Sequence, residues 1–229
     1  MPPLQEILDF NLVGFNPTIS AAAQAKIDAY IILTHKDWEY SFCKDFKDEF
    51  KPQTAKKQKR KCAYCRTTIN VDGSGNSIDH VTPRIRKPHW MFVIHNLVVA
   101  CDNCNSRKLT SNVLARNDTS YGNNPDNCPS DTVDYLIFNP YFDKWSEHFA
   151  IEDQCFLKVR PDTKGPATYN FCGMNRYHII IDYLDQLKIR EPISYRIIIK
   201  RIKKEKDLEK LATLKQALDY IKTMIDNAA

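Results

Sequence analysis

Two cysteine pairs, Cys62-Ala63-Tyr64-Cys65 and Cys101-Asp102-Asn103-Cys104, bracket an Asp79-His80 dipeptide. Cys-x-x-Cys pairs at this separation can wrap four thiolates around one zinc ion in a tetrahedron. Such a site is closed, with no position left for water, so its zinc is structural. Chemistry then falls to the polar residues that the zinc holds in place: Asp79, His80 and Asn105, which directly follows Cys104. An imidazole takes a proton near neutral pH, so His80 can serve as a base. Asp79 offers a hard oxygen suited to Mg²⁺, and the Asn105 side-chain carbonyl offers another. A base, a cation and a donor near the leaving oxygen are what hydrolysis of a phosphodiester needs. Neighbours in an ideal strand point to opposite faces, so Asp79 and His80 reach one site only if a bulge or strand end intervenes near Pro83.

The elements that must position these residues are short. Ser77 to Val81 reads as a strand ended by Pro83, and Asn96 to Ala100 as a second strand that delivers Cys101. Asn105 to about Ala115 reads as a helix, with Leu109 and Val113 four apart on one face. Asp72-Gly73-Ser74-Gly75-Asn76 is turn chemistry. Upstream, residues 1–18 read as an extended arm. Ser20 is a plausible N-cap for a helix through Ile27 and Leu33, a second helix continues through Trp38 to Phe50, and Pro52 opens a connector. Downstream, 117–131 is loop-rich, while 133–142 and 155–159 suggest strands or partly buried segments. From His178 the chain turns helical, apart from a break at Pro192. It ends in an apolar stripe of Leu208, Leu211, Leu214, Leu218, Ile221 and Ile225.

The 229 residues are 43% hydrophobic and 27% charged, a globular composition that argues against wholesale disorder. No run approaches the ~20 apolar residues that span a bilayer, and Met1-Pro2-Pro3-Leu4 opens no secretory leader, so a cytoplasmic protein with no membrane partner is expected. In that compartment paired cysteines point to a metal rather than disulfides, leaving Cys43, Cys128, Cys155 and Cys172 as free thiols. Net charge is only +5, but it is unevenly placed. Basic residues crowd Lys51 to Lys61, then Arg84, Arg86 and Lys87, then Arg196 to Lys210, a distribution that suits a polyanion. Arg84 and Arg86 rank first for phosphate contact, which positions a protein on nucleic acid without reading sequence.

The string Cys62-x-x-Cys65, Ile78-Asp79-His80-Val81-x-Pro83, His95-Asn96-Leu97, Cys101-x-x-Cys104-Asn105-x-x-Lys108 resembles the HNH endonuclease family, in its zinc-stabilised ββα-metal branch. The resemblance implies an α+β fold: a ββα-metal core with a structural four-cysteine zinc site, embedded in a mainly helical chain. It divides the chain into a helical region at 1–55, the nuclease core at 56–116, and a loop-rich then helical region at 117–229 packed on that core. It implies His80 as general base, Asp79 and Asn105 as ligands of one Mg²⁺ or Mn²⁺, and Asn96 as the residue that holds the inter-strand loop. Zn²⁺ falls to Cys62, Cys65, Cys101 and Cys104. Arg84, Arg86, Lys87, Arg107 and Lys108 become candidates for nucleic acid, with double-stranded DNA the expected partner. Leu136 to Asp143, Trp145 to Phe149 and Met174-Asn175-Arg176 are further similar to the HNH subunit of Septu-type and retron-linked antiphage systems, which works beside an ATPase. A zinc-knuckle binding module and an inactive interaction subunit are the alternatives that leave Asp79, His80 and Asn105 without a task.

Overall fold

The computed structural model describes residues 4–70, 75–190 and 193–226, and it is a mixed fold of helices and two small sheets. At the N-terminus a short helix, α1 (Leu4–Leu8), stands where an extended arm was expected. Helix α2 (Ala21–Asp28) starts at the expected Ser20, whose side chain accepts from the Ala23 N–H. It stops well before Leu33, because only Ala23 and Ile27 face the core; Ile31 and Leu33 lie exposed beyond it. Helix α3 (Lys44–Lys57) runs through Pro52, where a connector was expected. A proline removes one hydrogen bond from a helix interior. Burial of Phe46 and Phe50 before it and of Thr54 and Ala55 after it keeps the helix whole.

The element that carries the candidate chemistry follows. Strands β1 (Asn76–His80) and β2 (Leu97–Cys101) pair antiparallel in unbroken register, with Asp79 opposite Val98 and His80 opposite Leu97. Helix α4 (Asp102–Lys108) leaves β2 directly and packs back on both strands. It ends at Lys108 because Leu109 takes φ 39° and ψ −113°, so the expected helix to Ala115 is cut short. Leu109 is exposed while Val113 is buried, and the two share no face. Asp72 to Ser74, and the expected break at Pro192, fall outside the described residues.

Segment 133–142 is largely irregular, tied to the core by a bridge between Leu114 and Tyr135, by backbone bonds such as Leu12 N–H to Pro140 O (2.7 Å), and by buried Ile137 and Phe138. Beyond it come α5 (Trp145–His148), a second hairpin of β3 (Phe149–Glu152) and β4 (Phe156–Val159), then α6 (Gly165–Phe171). Helices α7 (Tyr177–Gln186), α8 (Ile193–Ile202) and α9 (Leu208–Asp226) close the chain. The middle of the expected stripe on α9 is buried at Leu214, Leu218 and Ile221, and its ends at Leu208 and Ile225 are exposed.

One apolar cluster runs from Leu4 and Leu8 through the cysteines and Val98 to Leu214 and Ile221, so N-terminal, central and C-terminal segments share a core. A smaller cluster of Ile27, Trp38, Phe46, Phe50, Met91 and Leu97 covers the opposite face of the first hairpin. No helix of the described residues is long and apolar enough to cross a membrane.

Candidate active-site cleft and cysteine cluster

The sulfurs of Cys62, Cys65, Cys101 and Cys104 all lie within 4.8 Å of one another. Cys65 and Cys101 sulfurs are 3.7 Å apart. A tetrahedron with Zn–S near ~2.3 Å sets its sulfurs roughly 3.8 Å apart, so the donor set and its spacing fit zinc. The first pair sits in a turn closed by Cys62 N–H to Thr67 O (2.8 Å) and docked on β2 by Ala63 N–H to Val99 O (3.0 Å). The second pair is placed by β2, which ends at Cys101, and by the first turn of α4, which holds Cys104. Burial pushes the Cys62 thiol up, while hydrogen bonds from the other three thiols push Cys101 down. A thiolate is thus already favoured at one position, and a dication would ionise the rest. Arg176 adds positive charge, its Nη2 donating to Cys104 Sγ at 3.2 Å. Cys43, Cys128, Cys155 and Cys172 are buried free thiols.

Beside the cluster, a cleft of about 480 Å³ is lined by Asp79, His80 and Asn105, together with Trp38, Ile85 and Leu109. No bulge brings Asp79 and His80 together. The strand end expected near Pro83 is present instead, and both Asp79 and His80 line the cleft there. His80 is the last residue of the strand.

Asp79 points toward the Cys62–Cys65 turn and α4. Tyr64 donates its hydroxyl to Asp79 Oδ2 at 2.6 Å, and Lys108 Nζ stands 3.2 Å from Oδ1. Burial raises the carboxyl's pKa against the pull of Lys108. Each oxygen keeps a second lone pair, so the carboxylate can still bind a cation in the cleft. Asn105 donates its amide nitrogen to Ser77 Oγ at 2.7 Å, which turns its carbonyl oxygen the other way.

His80 lies on the other face, edge-on to Trp38 with ring centroids 4.6 Å apart. Its Nε2 meets Met91 O at 3.2 Å. A carbonyl only accepts, so Nε2 carries the hydrogen and Nδ1 is left with the lone pair. Burial first, and then the positive charges of Arg84 and Lys108, push this imidazole down to about 3. It is neutral at any physiological pH. Asn96 is fully buried, accepting from Thr82 N–H at 2.7 Å and donating to Thr82 O and Trp90 O, so it ties both ends of the inter-strand loop together.

Two residues expected at phosphate are placed elsewhere. Lys108 is buried, its ammonium spent on Asp79, on His80 O (2.8 Å) and on Val81 O (3.3 Å). Lys87 is buried against Tyr121 O at 2.6 Å. Sequence shows a charge and not its depth, and an ammonium drawn from water must find carbonyls or a carboxylate. Arg84 lines the cleft while bound to His35 O and Glu39; Arg86 is bound to Asp118 and Thr110 O. Arg107 is exposed on α4, packed across Gly173. Tyr64, Trp38 and Asp102, the last also lining the cleft, were not singled out by sequence. Tyr64 alone carried a signal: a tyrosine enclosed between two metal-binding cysteines is buried, and its hydroxyl then needs a partner.

Residues 62–110 match the model of the HNH endonuclease family. The matched span opens at Cys62 and closes two residues past Lys108, so it contains the cysteine cluster, the hairpin and α4. The match suggests a nuclease domain acting on nucleic acid, in a family whose nucleases are metal-dependent. No curated protein and no solved structure matches the chain.

Proposed function

We propose that the chain is an HNH endonuclease that hydrolyses phosphodiester bonds in DNA through a ββα-metal site, with Cys62, Cys65, Cys101 and Cys104 holding zinc. The observation that carries this reading is the meeting of Asp79, His80 and Asn105 in one cleft within the span matched by the HNH family. Asp79 and Asn105 would hold Mg²⁺ or Mn²⁺. When bound, that cation supplies charge neutralisation at the scissile phosphate and leaving oxygen. His80 Nδ1 receives the proton of the attacking water, and the Nε2–H bond to Met91 O fixes the ring's tautomer and direction. Burial leaves the ring neutral at pH 7 but a weak base, and the negative phosphate raises its basicity when substrate enters. Lys108 and Tyr64 hold the carboxylate still.

Plasmid cleavage with Mg²⁺ or Mn²⁺, compared with His80→Ala and with chelator, tests the reading. Cutting that disappears in both controls is the expected result; cutting that survives His80→Ala overturns the assignment of the base. A second reading, DNA binding without cleavage, is favoured by the ion pair that Lys108 already makes with Asp79. Retention of DNA with no cutting under any metal is its signature. The setting we propose is cytoplasmic defence against foreign DNA beside a partner ATPase, a reading that rests on the sequence resemblance of Leu136–Asp143, Trp145–Phe149 and Met174–Arg176 to Septu-type subunits. Cutting by the isolated chain that is weak, and rises when the ATPase is added, is what that setting predicts.

A further inference from the structure

The floor and the rim of the cleft differ in chemistry. Asp79 and His80 at the floor are only 4% and 5% exposed. Two aliphatic side chains that line the same cleft, Ile85 and Leu109, are 48% and 64% exposed. A cleft of about 480 Å³ admits a short length of one phosphodiester backbone. It does not admit the stacked base pairs of a duplex. With Asp79 and His80 nearly covered, a phosphate has to enter the cleft past its rim to reach them.

Leu109 adds a second observation. Its backbone sits at φ 39° and ψ −113°, a conformation that costs any residue with a Cβ, and the strain presents a leucine to solvent rather than burying it. Ile85 is equally fixed. It sits in a tight turn closed by Arg86 N–H and Lys87 N–H to Pro83 O, and that turn is pinned by Lys87 to Tyr121 O. The Arg86 guanidinium then braces the turn to the Leu109 segment, donating to Thr110 O at 3.2 Å while paired with Asp118. Both apolar tips belong to one cross-braced rim.

We infer that Ile85 and Leu109 are wedges that enter a base step of DNA, unstack it, and let the kinked backbone descend to Asp79 and His80. Aliphatic side chains inserted between base pairs unstack and bend DNA in just this way. The inference rests on the nuclease reading and names its substrate class: DNA at steps that open readily, with mispaired, bulged or branched sites cut faster than matched duplex. Matched duplex is then cut where flexible pyrimidine–purine steps fall.

The test compares wild type with the Ile85→Ala/Leu109→Ala double variant on two substrates, a matched duplex and the same duplex with one unpaired base at the cut step. Wild type is expected to favour the opened substrate by about tenfold, and the double variant to lose about tenfold more on the matched duplex than on the opened one. A cleavage-independent arm places 2-aminopurine at the step and records its fluorescence on binding in Ca²⁺. Brightening with wild type that is lost in the double variant supports the wedge. Equal losses on both substrates, or brightening retained in the variant, overturn it. If wild type cuts neither substrate, the nuclease reading falls, and the fluorescence arm still decides whether the rim opens DNA. Thermal melting of the double variant, with both changes at exposed positions, reports whether the fold is intact.

Discussion

Asp79 is held from two directions by groups of different origin: Tyr64 comes from the zinc knuckle and Lys108 from the end of α4. The hydroxyl of Tyr64 is thus the shortest link between the structural cluster and the candidate catalytic carboxylate. Tyr64→Phe keeps the ring and removes that link. Mn²⁺ affinity at the cleft is expected to fall about tenfold while one zinc per chain is retained, as read by titration calorimetry and metal analysis. Unchanged Mn²⁺ affinity would show that Lys108 alone orients the carboxylate. His80 gives a prediction of opposite character. Its pKa is about 3 in the fold and ~6.5 in an unfolded chain. Between those values the unfolded state binds a proton that the folded state does not. Stability contributed by His80 is therefore complete above pH ~6.5 and falls as pH drops toward 3, by up to about 1.4 kcal/mol per unit. Urea midpoints at pH 7, 5.5 and 4.5, in Mg²⁺-free buffer, should fall more steeply for wild type than for His80→Gln. Parallel lines would show that the ring titrates normally.

β2 is the element on which the site is built, and besides its pairing with β1 it is supported from outside the matched span. Gln58 lies just past the end of α3, fully buried. Its amide donates to Val99 O at 2.7 Å and accepts from Val99 N–H at 2.9 Å, as a neighbouring strand would. Gln58→Ala leaves the buried Val99 N–H without a partner, while Val99 O keeps the Ala63 N–H, so a loss of about 1–3 kcal/mol is expected in urea denaturation. In sequence this residue stands inside a basic run and reads as linker. That contrast marks the boundary of what was legible. Both strands of the first hairpin, the cysteine pairs and the N-cap at Ser20 are local patterns, and local patterns survive without knowledge of the fold. Helix α3 through Pro52, the stop at Leu109 and the burial of Lys87 and Lys108 are set by what packs on them from distant segments. Within the candidate site, the residue types and the strand end beside Pro83 were legible, and the burial of Lys108 against Asp79 was not.

Across the whole molecule, the strings outside the hairpin that carried the weaker resemblance each grip its core. Asn139 donates to His95 O (3.3 Å), Trp145 Nε1 to Tyr64 O (2.9 Å), and Arg176 to Cys104 Sγ. Tyr183 on α7 adds its hydroxyl to Cys65 O at 2.6 Å. Three of these contacts land on the zinc knuckles, and the surrounding apolar cluster reaches from Leu4 to Ile221. The zinc should therefore stabilise the chain as one unit rather than a local loop. Chelating it, or replacing Cys104 by Ser, is expected to lower a single calorimetric transition by well over ~10 °C, since a structural zinc contributes far more than any one contact. The fluorescence of Trp145, buried behind Tyr64, should shift to the red in the same step. Two resolved transitions, one of them indifferent to the chelator, would instead confine the metal's influence to the hairpin. The grip of Arg176 and Tyr183 on the knuckles would then be a docking contact, and α6 to α9 would hold together on their own apolar faces.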